Sequence, residues 1–284
     1  MSTGFILTDY GVTSLYEIPS FKQTGLVSHG FSTRLGGNGQ KPYDTLNLAF
    51  HVGDSPETVI ENRRKVCQLL GADIANLVGA QQVHGVNIAV VGPENVGLGA
   101  LDYDSALPET DGLVTIGRGL MLATFYADCV PIFILDPVKK VVASIHAGWK
   151  GTEARIGFAA IAKMTTVFGS DPRDCLVGIG PSIGPCCYEV DEPVISSFTR
   201  QFPWWSDILT EGVNGRYRLD LWETNRKILV EAGVKADNIE IARVCTCCNQ
   251  NILFSYRGSQ GRTGRMGAFI MLKIKSDLSR GRVW

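Results

Sequence analysis

Four apolar, β-rich runs, at residues 112–116, 120–126, 131–135 and 141–145, follow one another with short breaks at Gly, Asp and Pro. Runs of this kind, without polar alternation, read as strands covered on both faces, because a half-exposed strand would show a solvent side. The four can be neighbours in one buried sheet. A sheet buried on both sides needs further layers, so the rest of the chain has to supply covering elements.

Those elements can be read in turn. A strand is expected at 26–33. A helix is expected at 55–70, where Ser55 caps, Pro56 suits the first turn, Val59, Val66, Leu69 and Leu70 fall near one face, and Gly71 stops it. Strands at 77–83 and 87–91 would flank a His84-Gly85 turn. A helix over 151–168 places Ile156, Ala160, Ile161, Met164 and Val167 on one face. A strand at 175–179, a helix at 219–232 ended by Gly233, and strands at 239–244 and 266–273 complete the set. Helices are few relative to strands, so an α/β or α+β layered fold with a mixed sheet is expected, not a doubly wound one. No repeat and no Gly- or Pro-rich linker divides the chain, and one domain over 1–284 follows.

Charge and cysteine content narrow the function classes. The 27 Lys and Arg balance 28 Asp and Glu, for a net charge of -1, and no basic stripe is present, which excludes a general nucleic-acid binder. No apolar stretch approaches the ~20 residues of a membrane span. Residues 1–9 lack the basic and apolar pattern of a leader, so a soluble, cytoplasmic protein without a membrane partner is expected. In that setting the 8 cysteines read as small buried hydrophobes, metal ligands or nucleophiles, not as a disulfide framework.

Only 4 histidines occur, His29, His51, His84 and His146, so few arrangements of metal ligands or acid–base groups are possible. His84, in Gln81-Gln82-Val83-His84-Gly85, and His146, in Ser144-Ile145-His146-Ala147-Gly148, each end a β-rich run ahead of a glycine. Strand ends of this kind project side chains into ligand crevices. Cys129, in Ala127-Asp128-Cys129-Val130-Pro131, lies at a break between two apolar runs. A thiolate and two imidazoles form a three-ligand set with a fourth position open, as in catalytic zinc sites. Two hydrogen-bonded structural histidines and a buried thiol would give the same pattern, and spacing alone leaves both readings open.

Other motifs point less sharply. Cys186-Cys187 and Cys245-Thr246-Cys247-Cys248 include one C-x-x-C, but a closed zinc site wants a second such pair or added histidines, and none is adjacent in sequence. These cysteines are therefore expected to be structural or incidental. The 178–185 stretch is glycine-rich yet lacks the Lys-Ser/Thr end of a phosphate loop and contains two prolines, so it is expected to shape a pocket border. Arg34, Arg63 and Arg257 carry guanidinium forks suited to phosphate or carboxylate, or alternatively form solvated surface.

Taken together, these segments resemble the laccase-domain, YfiH-like family. The resemblance rests on Phe31-Ser32-Thr33-Arg34, Leu46-Asn47-Leu48 running into His51-Val52-Gly53-Asp54, Glu61-Asn62-Arg63, Gln82-Val83-His84-Gly85 and Asp111-Gly112-Leu113-Val114-Thr115. It continues through Ala127-Asp128-Cys129-Val130-Pro131, His146-Ala147-Gly148-Trp149-Lys150-Gly151, Cys186-Cys187-Tyr188-Glu189-Val190, Cys245-Thr246-Cys247, Phe254-Ser255-Tyr256-Arg257 and Gly264-Arg265. The matching core runs from about 26 to 270, in order. Lys150, where the family often has Arg, and Phe50, where Gly is common, depart from the pattern and bear on pocket shape.

The resemblance implies a single-domain α/β/β/α layered fold like that of cytotoxic-necrotizing-factor-type cysteine hydrolases. It implies zinc-dependent phosphorolysis of adenosine, inosine and methylthioadenosine, with adenosine deamination, by a catalytic and metal-binding cluster of His84, Cys129 and His146. Zinc is the expected cofactor, with copper the lesser alternative; purine nucleoside and phosphate are the expected partners. Phosphorolysis needs an anion positioned at the ribose and a neutralised leaving base, so Arg34 and Arg63 are assigned to phosphate and Asn47 to ribose or base. Deamination needs an activated water and a proton shuttle, for which Asp128 is the nearby acid. Three rivals stand beside this reading: a copper-dependent polyphenol oxidase, which four histidines cannot furnish with its copper centres, a Cys-His hydrolase, and a non-catalytic zinc-binding protein.

Overall fold

The computed structural model describes residues 4–212 and 215–274, so residues 1–3 of the amino-terminal stretch and 275–284 of the expected domain lie outside the described residues. Two six-stranded mixed sheets form its centre. Edge to edge, the first runs Ile6–Asp9, Ser14–Glu17, Val27–Ser32, Met266–Leu272, Met121–Tyr126 and Leu77–Val78. The second runs Ile239–Ile241, Leu176–Ile179, Val130–Asp136, Val141–Ala147, Gly112–Thr115 and Ile88–Val90. Antiparallel pairs dominate, with parallel pairs towards the edges. Glu189–Val190, Tyr217–Leu219 and Leu209–Glu211 add a small antiparallel sheet.

Strand periodicity sorts side chains into three apolar layers. Phe133, Leu135 and Val142 of the second sheet meet Leu122, Tyr126 and Ile270 of the first between the sheets. On the other face of the second sheet, Ile132, Ile134, Ala143 and Ile145 pack against Ile161 and Met164 of helix Ile156–Phe168, and Ile228 of Leu221–Glu231. On the outer face of the first, Met121, Ala123, Phe125 and Phe269 lie under Val66 and Cys67 of helix Pro56–Leu69. Each sheet is thus covered twice, as strands without alternation require. Among the described residues no helix is long and apolar enough to cross a membrane.

The expected helix at 55–70 forms as Pro56–Leu69, with the Ser55 side chain accepting from the Thr58 amide and Gly71 at φ +73° just beyond it. Three expectations need correction. The four runs between 112 and 145 do not share a sheet, because Met121–Tyr126 belongs to the first sheet and its three neighbours to the second. Both sheets are covered on both faces, so an apolar run looks the same in either. Leu77–Val78 and Ile88–Val90 likewise join different sheets, and the amides around His84 bond a carboxylate in place of a strand ladder. The helix expected over 151–168 is two helices, Trp149–Glu153 and Ile156–Phe168, interrupted where Arg155 adopts φ +63°.

His29, on Val27–Ser32, shows what a histidine in this core does. Its buried Nε2 accepts the Ile18 amide at 2.8 Å and its ring lies 5.3 Å from that of Phe21. Burial depresses its pKa from 6.5 to about 4, and accepting an N–H requires that nitrogen to be unprotonated. A folded pKa below the unfolded value gives stability that is full above pH 6.5 and is lost as pH falls towards 4. The loss from this residue is about 2 kcal/mol between pH 7 and pH 5. Urea midpoints at those two values should therefore differ less in His29→Gln than in the parent, and an unchanged difference would refute the assignment.

Candidate metal centre and active site

The chain passes between sheets at two places that matter. Residues 127–129 lead from Met121–Tyr126 to Val130–Asp136, and residues 79–87 lead from Leu77–Val78 to Ile88–Val90. Cys129 lies on the first crossover and His84 on the second. His146 stands near the end of Val141–Ala147, opposite Pro131 in the ladder, with its ring 5.4 Å from that of Tyr126. All three groups therefore gather at the seam between the sheets.

Their ligand atoms lie within 4.8 Å of one another, and the two imidazoles meet edge to face at 4.8 Å. His84 is exposed, Cys129 half-buried and His146 buried, so the cluster is open on the His84 side. Gly148 closes another wall. A Cβ at that position would sit 2.8 Å from His84 Cδ2 and 3.2 Å from Cys129 Sγ, a separation only glycine tolerates without displacing the ring.

Backbone strain at the crossovers is held by carboxylates. His84 adopts φ +63° and Asp128 φ +86°, left-handed conformations that cost about 1–3 kcal/mol for residues with a Cβ. Asp111, fully buried, offsets the first: its Oδ1 accepts the His84 amide at 2.9 Å and its Oδ2 the Gly85 and Val83 amides at 2.7 and 3.2 Å. The same Oδ1 lies 2.8 Å from His146 Nδ1, which leaves Nε2 of that ring for the cluster. Asp128 is fixed by the Thr246 hydroxyl and the Arg257 amide, each 2.6 Å from one carboxylate oxygen. Both oxygens of Asp128 are thus committed as acceptors, which makes it a tether for Cys129 and not a free acid.

Electrostatics couple the members. Burial alone would raise the Cys129 thiol, but the charge and hydrogen bonds of His146 and His84 pull it below its ordinary value. Burial alone would lower His146, but Cys129 and Asp111 raise it. Without a bound metal the shifts favour a thiolate–imidazolium pair, backed by a carboxylate whose own pKa, raised by burial, is brought down by His146 and the backbone amides; a metal ion would take the place of the proton on His146 Nε2. Two imidazoles and a thiolate with one open side are a donor set that fits a late first-row metal ion, and the Asp111–His146 bond is the customary outer-sphere support of such a ligand.

The residues expected at the substrate bond loops around the site. Arg34 donates from Nε to the Asp44 carbonyl and from a terminal nitrogen to that of Gln250, and pairs with the Asp44 carboxylate at 3.2 Å. Asn47, fully buried, bonds Ala49, Asp54 and the Arg265 amide. Arg63 is buried between the rings of Phe50 and Phe125, donating to the carbonyls of Leu48 and Ala100; burial lowers its pKa to about 9. It borders a recess of only ≈ 10 Å³, about one water. All three clamp loops, and none of the three cluster residues is among their partners.

Other residues take the exposed side. A cleft of ≈ 460 Å³ is lined by Trp149, Tyr188, Val194, Arg216 and Arg257. It adjoins the cluster through Trp149, which follows Gly148, and through Tyr188, whose hydroxyl burial and the nearby Cys129 both hold protonated. Half-buried Arg265 senses the negative charge of Cys129 and Asp128, although burial dominates and lowers its pKa. Larger recesses of ≈ 790 and ≈ 850 Å³ lie along residues 37–45 and around Val27–His29, and no cluster residue lines either. Asp111, Gly148 and Arg265 join the site through folding, each from within the Asp111-Gly112, His146-Ala147-Gly148 or Gly264-Arg265 segment. The Asp-Gly entry to the 112–116 run was the available signal for Asp111.

Similarity to known proteins extends over most of the chain. The profile of the family described as multi-copper polyphenol oxidoreductase laccase matches residues 28–273. Purine nucleoside phosphorylase YlmD of Bacillus subtilis (strain 168) is 39% identical over 248 residues, covering 87% of this chain and 89% of that protein. Adenosine deaminase RL5, from an unknown prokaryotic organism, is 34% identical over 237 residues, covering 83% and 90%. The crystal structure of Bacillus licheniformis hypothetical protein YfiH, 39% identical, superposes with a TM-score of 0.90 over 94% of this chain and 99% of that one. The order of motifs, the paired mixed sheets and this coverage agree: the chain belongs to the laccase-like, YfiH family.

Proposed function

We propose that this protein is a zinc-dependent purine nucleoside phosphorylase that cleaves adenosine, inosine and methylthioadenosine with phosphate, giving the free base and (methylthio)ribose 1-phosphate, and that it also deaminates adenosine. One observation carries the reading: His84, Cys129 and His146, remote in sequence, converge with an open side and with Asp111 behind them. The names of the Bacillus subtilis relative and of RL5 support the two activities. A single domain is part of the reading, since both sheets contribute to the cluster. So is a cytoplasmic location, in keeping with 8 cysteines of which none is paired in a disulfide.

The donor set favours zinc over copper chemistry. His29 is used by Ile18 and His51 packs against Tyr103 at 5.5 Å, which leaves two histidines for the cluster, too few for a multicopper centre. Bound by His84, Cys129 and His146, zinc would supply Lewis-acid activation at one open coordination position. The chain's own groups do the rest. Asp111 accepts the Nδ1 proton of His146 and so fixes the tautomer that turns Nε2 to the centre. Trp149 and Tyr188 offer faces for a purine, while Arg257 and Arg265 offer positive charge for phosphate. Arg34, Asn47 and Arg63 serve substrate binding through the loops they clamp. Incubation with adenosine, with and without phosphate, followed by chromatography tests the reading. Adenine with ribose 1-phosphate should appear only with phosphate; inosine should form without phosphate and pass on to hypoxanthine when phosphate is present. The absence of all these products would overturn the reading.

One observation favours a second reading. Cys129, His146 and Asp111 are linked as nucleophile, base and orienting carboxylate, which is the arrangement of a Cys-His hydrolase and accords with the implied likeness to cytotoxic-necrotizing-factor-type enzymes. Trapping of an acyl group on Cys129 by metal-free protein would support it.

A further inference from the structure

A second group of sulfurs converges away from the seam. Cys186, Cys187, Cys245 and Cys248 bring their Sγ atoms within 4.8 Å of one another. The partner pair that the C-x-x-C lacks in sequence arrives through folding. A bridge between Ser182 and Cys245 lays the two loops side by side, reinforced by the Thr246 amide on the Ser182 carbonyl at 3.0 Å. Incidental packing of small apolar thiols does not account for the result, because Cys186 and Cys248 are exposed. We propose that these four cysteines are a second metal site, a closed tetrathiolate that holds a structural zinc ion and shares no ligand with the His84, Cys129, His146 cluster.

Geometry, hydrogen bonding and charge support the assignment. Cys186 and Cys187 approach Cys248 with Sγ separations of 3.5 and 3.4 Å. Zinc–sulfur bonds of about 2.3 Å in a tetrahedron set sulfurs roughly 3.8 Å apart, a small adjustment from these values. A disulfide at about 2.05 Å would need a far larger one. The Gly184 amide donates to Cys245 Sγ at 3.3 Å. An N–H···S bond of this kind suits a thiolate ligand. Four sulfurs this close would repel one another as thiolates, and a divalent cation between them relieves that repulsion.

The site also has a task. Ile183 and Thr246, which flank these cysteines on the two loops, both bond Asp128, the residue before Cys129. Arg257, next to Asp128 through its amide, reaches the carbonyls of Cys187 and Glu189. An ion joining the loops would fasten the wall of the ≈ 460 Å³ cleft that carries Tyr188 and Arg257. Cys247, the remaining cysteine of the run, is half-buried against the apolar core and is left out.

Metal content and spectroscopy of the full chain test the proposal without using turnover. The protein purified with zinc should hold two equivalents. Cys186→Ser/Cys248→Ser should lose one, His84→Ala/Cys129→Ala the other, and the combined variant both. Cobalt(II) added to metal-free His84→Ala/Cys129→Ala should bind one equivalent with the intense visible bands and sulfur charge transfer of a tetrahedral tetrathiolate. Should the serine variant fail to fold, zinc-edge absorption on the parent reads the same fact as a sulfur-rich shell. Zinc content unchanged by Cys186→Ser/Cys248→Ser, a cobalt spectrum without sulfur character, or a disulfide among these cysteines in the freshly purified protein would overturn the proposal; loss of the seam equivalent alone would overturn only the metal reading of the other cluster.

Discussion

Cys129→Ala should lower phosphorolysis of adenosine by about 10³-fold, equivalent to roughly 4 kcal/mol of lost transition-state stabilisation. Deamination should fall with it, and the metal held at the seam should be lost. The residue supplies the sulfur of the cluster and half of its thiolate–imidazolium pair, and no other cysteine belongs to that group. Folding should persist. Alanine removes a sulfur at a half-buried position without adding volume near Gly148, while Asp128 keeps its bonds to Thr246 and Arg257. We therefore expect a stability change within about 1 kcal/mol. Steady-state rates, metal analysis and urea unfolding read the three effects separately. A folded variant that turns over adenosine at the parent rate would remove Cys129 from the mechanism.

Asp111→Asn should be costly in a different way. The carboxylate accepts four hydrogen bonds, from the amides of Val83, His84 and Gly85 and from His146 Nδ1. An asparagine of the same shape turns an NH2 group towards one pair of those donors, whichever way its amide is oriented. An orphaned donor costs about 1–3 kcal/mol when buried, and these are partly so, which puts the expected loss near ~2 kcal/mol. The left-handed His84 loses its restraint, and His146 loses the partner that fixes its tautomer. Metal affinity should fall by about 10–100-fold, the usual cost of removing outer-sphere support. Denaturant titration and competition with a zinc chelator measure these effects. Parent values in both would show that Asp111 neither holds the loop nor orients the ring.

Local chemistry made part of the architecture readable in advance. Ser55, Pro56 and Gly71 mark the ends of a helix because capping and breaking depend on adjacent residues, and Pro56–Leu69 forms where they predict. Strand Val27–Ser32 and strand Met266–Leu272 likewise announce themselves by composition. Arg155 was not readable, because its left-handed conformation answers to how two helices meet the sheet. At the seam, His84, Cys129 and His146 could be marked singly, as residues at strand ends and breaks. Arg34, Asn47 and Arg63 could not be placed, since a guanidinium or amide that clamps a loop and one that binds a ligand look alike in sequence.

By itself the sequence determined the kinds of element and marked His84, Cys129 and His146 as candidate ligands, because each reading depends on residues within a few positions of one another. The tertiary structure decided which sheet each strand joins, and therefore which groups meet. An apolar strand covered on both faces carries no mark of its neighbours. Only the passage of residues 79–87 and 127–129 from one sheet to the other brings a thiol and two imidazoles, distant along the chain, to one side of a buried carboxylate.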